Sequence, residues 1–176
     1  MKRKVQKLVM AISTILAVGS AHAATTGTLR FQGQINAGTC NLAAADENRT
    51  INLPTVKVSD FDNANIVGPT DFNITAVCES DIRNVTFLFT GTPDTALPPT
   101  FANTGTAKGL GLRIMAGTET EKTLMYASGI PAQRSRVIAT SGNRAVLSVE
   151  ASYQKNNTPI SQGTMLSTTT ISITYN

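Results

Sequence analysis

The stretch Thr168-Thr169-Thr170-Ile171-Ser172-Ile173-Thr174-Tyr175, followed only by Asn176, alternates apolar and hydroxyl-bearing side chains in its second half. Period-two patterning rich in Thr and Ile marks a half-buried β-strand. Sheet edges are normally blunted with charge or proline, because an unpaired ladder is a template for another chain. This strand contains neither, and no further strand follows it in the sequence. Its outer edge is therefore expected to be closed inside its own sandwich or offered to something else.

The same alternation recurs upstream. It runs through Phe72, Ile74, Ala76 and Cys78, then Val85, Phe87 and Phe89, then Leu110, Leu112 and Ile114, and then Ala145, Leu147, Val149, Ala151 and Tyr153. Between these runs lie turn-formers: Gly68-Pro69, Gly91-Thr92-Pro93, Pro98-Pro99, Gly105, Ser141-Gly142-Asn143 and Asn156-Asn157-Thr158-Pro159. Short strands punctuated in this way predict an antiparallel β-sandwich, and no repeat, linker or low-complexity block divides it. One more alternating run, Leu29, Phe31, Gly33 and Ile35 against Arg30, Gln32 and Gln34, stands at the other end of the chain.

Before that run comes an export signal. Lys2, Arg3, Lys4 and Lys7 precede the apolar stretch 8–18, and Ala21-His22-Ala23 ends it with small residues at the two positions a signal peptidase reads. The stretch is shorter than the ~20 residues that span a bilayer, so residues 1–23 read as a secretory signal peptide. Removing 23 of the 176 residues leaves 153, a normal size for one domain. The chain has 15 basic and 11 acidic residues, and the four extra positives all lie in the signal, so the mature part is neutral. That balance argues against nucleic acid as a partner. The only histidine, His22, leaves with the signal, and with it the commonest general base and metal ligand. Cys40 and Cys78 are the only cysteines. An even count in an oxidising compartment predicts their pairing, which in the chain-entropy model stabilises the fold by about 4 kcal/mol.

These residues resemble the fimbrial subunits assembled by the chaperone–usher pathway, of the type 1 and P pilus kind. The match rests on Gly-Thr-Leu-Arg-Phe-Gln-Gly-Gln-Ile at 27–35 leading into Cys40, on the Cys40 and Cys78 pair, on the penultimate Tyr175, and on Gly163, fourteenth from the C-terminus. The resemblance implies an all-β fold, an incomplete immunoglobulin-like sandwich lacking its final strand. A periplasmic chaperone fills the resulting groove first, and a donor strand from the next chain fills it in the fibre after passage through an outer-membrane usher; this donor-strand system is a known example of β-strand addition. On that pattern residues 24–35 form the donor-strand extension and 36–176 the pilin domain. Gly27, Leu29, Phe31, Gly33 and Ile35 would enter a neighbouring subunit. Gly163, Ile171, Ile173, Tyr175 and Asn176 would serve the groove and the chaperone contact. The lead Ala24–Thr28 is shorter than in major shaft subunits and closer to minor or adaptor subunits, so both roles stay open.

Catalytic and metal-binding patterns are sparse. The pairs Asp46-Glu47, Asp60/Asp62, Glu79/Asp81 and Glu119/Glu121 fall mostly among turn residues, where solvated loops account for them. Asp60, Asp62 and Asn63 lack the glycine and closing glutamate of a calcium loop. No cofactor and no enzymatic activity is expected. The predicted function is a structural subunit of a fimbrium on the bacterial cell surface, reached through the periplasm; the alternative is a free periplasmic or secreted β-sandwich binding module. The N-terminal strand separates the two, since a monomeric module would fold it back into its own sheet.

Overall fold

Alternating side chains require two sheets to bury their apolar faces, and the computed structural model, which describes residues 28–176, supplies them. The strands are β1 (Cys40–Leu42), β2 (Ile66–Cys78), β3 (Asn84–Gly91), β4 (Leu110–Gly117), β5 (Lys122–Met125), β6 (Ser135–Ala139), β7 (Arg144–Lys155) and β8 (Thr169–Tyr175). All ladders are antiparallel. One sheet has the order β1-β2-β7-β4-β5 and the other β6-β3-β8. Two one-turn helices, α1 (Ala44–Glu47) and α2 (Pro131–Arg134), interrupt the pattern.

The core lies between the sheets. Ile74 and Ala76 of β2, Val85, Phe87 and Phe89 of β3, and Ala145, Leu147 and Val149 of β7 are all buried, in the parity that the alternation predicts. Ile171 and Ile173 of β8 pack against this core but remain half-exposed. Cys40 and Cys78 are bonded, and they sit directly opposite each other in the β1–β2 ladder. The bond therefore ties β1 to the sheet at its edge. Cys78→Ser should reduce the soluble folded chain recovered after secretion several-fold, since a loss of even 1–2 kcal/mol changes abundance on that scale. A thiol count on protein from the native compartment checks the pairing; two free thiols would contradict it.

Gly68-Pro69, read from sequence as a turn, lies inside β2. The register against β7 shifts between Val67 and Thr70, so the pair forms a bulge. Gly68 takes a positive φ of 65° there. Proline is tolerated in a strand at such a bulge, where no ladder N–H is demanded of it. The run at 29–35 is also not a strand: residues 28–39 take no regular structure. Leu29 and Phe31 are 81% and 90% exposed, and Ile35 is 99% exposed. Their alternation finds no ladder among the described residues. Residues 1–27, and with them the expected signal peptide and Gly27, lie outside those described.

Candidate functional site

Among the described residues β8 is paired on one side only, with β3. Asn84 and Asn176 exchange both main-chain hydrogen bonds, at 3.3 and 3.2 Å. In an antiparallel ladder, bonded and non-bonded pairs alternate. The pairs Thr86/Thr174, Leu88/Ser172 and Thr90/Thr170 therefore take the bonds to β3. The main-chain groups of Thr169, Ile171, Ile173 and Tyr175 point the other way, where no described strand pairs with them. The side chains of Ile171 and Ile173 turn inward at the same time. One face of this edge thus offers both a ladder and apolar anchors.

Beside this edge the sandwich opens into a groove of about 900 Å³. Its floor is apolar: Phe72, Ile74, Phe89, Leu112, Ile114, Ala151 and Tyr153. Met165 to Ile171 form one wall and Asp46 to Leu53 the other. The second wall has no sheet partner either. Residues 49–57 take no regular structure, yet Ile51, Leu53 and Val56 are half-buried while most of their neighbours are exposed. The Tyr153 hydroxyl donates to the Pro54 carbonyl at 3.0 Å, which holds this wall to the floor. Burial raises the Tyr153 pKa above its ordinary value, so the hydroxyl keeps its donor proton. The groove therefore has an apolar floor and, along β8, a wall of backbone that no described strand pairs with, an arrangement suited to an added strand. Among the described residues no cluster of His, Cys, Asp and Glu is arranged to hold a metal.

The residues singled out from sequence fall in three places. Ile171 lines the groove, and Ile173 continues the same inward face of β8. Tyr175 and Asn176 lie beyond the groove lining, beside a smaller hollow of about 200 Å³ with Asn84, Thr86 and Val137. The Asn176 backbone oxygen accepts N–H bonds from Arg83 and Asn84. Gly163 does not line the groove. A Cβ at Gly163 would lie 2.3 Å from the Ala107 backbone nitrogen, so its place in the fold is a close crossing of two backbones. Sequence reasoning passed over the wall at 49–53, whose Ile51 and Leu53 carry a short period-two signal without a partner strand.

The family model described as fimbrial protein matches residues 29–176, most of the chain. The chain belongs to the fimbrial protein family. Family membership implies a fimbrium at the cell surface. The chain is 34% identical over 100 residues to the laminin-binding fimbrial subunit ElfA of Escherichia coli O157:H7, covering 54% of this chain and 55% of that one. It is 30% identical over the same length to the fimbrial subunit ElfA of Escherichia coli strain K12. The chain thus spans about half the length of the curated relatives it matches. Among solved structures, a chaperone–usher pilus subunit superposes with a TM-score of 0.62 at 16% identity, covering 90% of this chain and 100% of that one. The P pilus rod subunit PapA superposes with a TM-score of 0.59 at 15% identity, covering 78% and 99%. At such identities these two show a shared fold. The sandwich seen here is the fold of pilus subunits.

Proposed function

We propose that the mature chain is a structural, non-catalytic subunit of a bacterial surface fimbria, joined to its neighbours by donor-strand exchange and supporting adhesion. Residues 24–35 are the donor extension and 36–176 the acceptor domain. Neighbouring subunits, a periplasmic chaperone and an outer-membrane usher are its partners, and it reaches the surface through the periplasm. The observation that carries this reading is the free edge of β8 running beside an open apolar groove. Lengths agree as well. The seven residues Leu29–Ile35 and the seven of β8 each span roughly 20 Å as strand. Leu29, Phe31 and Ile35 share one parity, and each large apolar side chain moved from water contributes about 1.5–3 kcal/mol. Main-chain bonds then set the register.

The reading as a free β-sandwich module needs 28–35 as a strand of the chain's own sheet, and among the described residues they take no strand conformation. Cross-linking tests the choice. Phe31→Cys combined in turn with Thr169→Cys, Ile171→Cys and Ile173→Cys should give, for at least one pair, a ladder of covalent multimers on non-reducing gels of the assembled material. Cross-links confined to single chains, or none for any pair, would overturn the polymer reading.

A further inference from the structure

The wall opposite β8 is held in place by two side chains that act as substitutes for a strand. β1 ends at Leu42, paired with Ala76. Past that point the edge of β2 still has ladder groups to satisfy, and the chain meets the first with its backbone: the Ala43 N–H donates to the Thr75 carbonyl at 2.8 Å. The next two are met by side chains. The Thr75 N–H donates to Asp46 Oδ2 at 2.9 Å, and Arg49 Nη1 donates to the Asn73 carbonyl at 2.9 Å. The same Nη1 donates to Asp46 Oδ1 at 3.1 Å, so the two substitutes are tied to each other. The Arg49 guanidinium also lies 5.6 Å from the centre of the Phe72 ring, on the groove floor. Asp46 is almost buried, with 8% of its side chain exposed.

Because side chains take over the β2 edge, the main chain from Asn48 onward is released from that sheet. It crosses to the open side and becomes the groove wall. We propose that the Asp46–Arg49 pair is a positioning latch: it fixes the wall at residues 50–53 and so sets how fast a strand seated in the groove can leave. This rests on the strand-acceptor reading of the groove. Charge-assisted hydrogen bonds to a nearly buried carboxylate are among the stronger polar contacts, and removing Arg49 leaves Asp46 with the Thr75 N–H but without its charged partner, and the Asn73 carbonyl without this donor. Arg49 serves two acceptors and the ring face at once, which the point charge of a lysine does less well.

The test uses the mature chain carrying, after Asn176, a flexible linker with a protease site and a copy of residues 27–35. Cutting the linker leaves the strand held by the groove alone. Its release is followed by chasing with an excess of a fluorescent synthetic peptide of residues 27–36, in enough urea to bring release into the range of hours. Arg49→Ala should release the strand about tenfold faster, with Arg49→Lys between it and the parent. Amide hydrogen exchange should quicken at Thr75 and at 50–53 while Ile114 in β4 and Ala151 in β7, on the groove floor, keep their protection. That local pattern separates a latch from a general loss of stability. Unchanged release in Arg49→Ala, or faster exchange throughout β4 and β7, overturns the latch. If Arg49→Ala does not fold, Arg49→Lys decides alone, and failure of both to fold also overturns it. A parent that neither releases nor takes up the peptide overturns the acceptor reading itself, whatever the variants do.

Discussion

The purified mature chain, without a partner, is expected to aggregate or unfold at modest temperature, and a copy of Gly27–Ile35 appended after Asn176 is expected to make it a stable monomer. The free edge of β8 presents the main-chain groups of Thr169, Ile171, Ile173 and Tyr175 with no described partner. Next to it the groove leaves Phe72, Leu112, Ile171 and Ile173 only half-covered. An edge of this kind, without charge or proline, is the pattern that invites pairing with another chain. The appended strand supplies Leu29, Phe31 and Ile35 as anchors. Several kcal/mol of burial corresponds to a rise in Tm of about 10 °C or more for a chain of this size. The check is a thermal melt with size-exclusion chromatography on both forms. An unmodified chain that is already a monomer, melting at the same temperature as the appended one, would sink the incomplete-sandwich reading.

How far the sequence reaches is visible element by element. The strands that bury an alternating face against the other sheet, β3, β4, β7, β8 and the second half of β2, are each announced by their own side chains. β1, β5 and β6 are not. They have three, four and five residues, and β6 buries only Ile138. Such strands exist because a neighbour offers a ladder, which is long-range information. The first half of β2 was hidden for the opposite reason, since Gly68-Pro69 carries turn chemistry that here makes a bulge. In the groove, the β8 side was legible because its pattern is local. The wall at 49–53 was not, because it depends on Asp46 and Arg49 reaching the edge of β2 some 24 to 29 residues away in sequence. Gly163 stood out in the sequence, but its effect is exerted at a backbone crossing with Ala107.

Two substitutions should separate the two ends of one molecule. Phe31→Asp alters a side chain that is 90% exposed in the described chain, so the subunit's own folding should be untouched. In a neighbour's groove the same aspartate would face Phe72, Phe89 and Leu112, where the lining cation Arg49 is already bonded to Asp46. Burying an unpaired charge there costs several kcal/mol, enough to lower incorporation into fibres by a hundredfold or more. Ile171→Asp places the charge on the receiving wall, against Phe89 and the core, where it damages the subunit itself. Ile171 is a sharper choice than Tyr175, which is 40% exposed and lies outside the groove lining. In a head-to-tail polymer the donor and acceptor surfaces act on different neighbours, so the two variants should fail at different steps. Phe31→Asp should still co-purify with the chaperone and be absent from fibres. Ile171→Asp should be lost from the periplasm before capture. If Phe31→Asp loses the chaperone while Ile171→Asp keeps it and assembles, donor and acceptor have been assigned to the wrong ends.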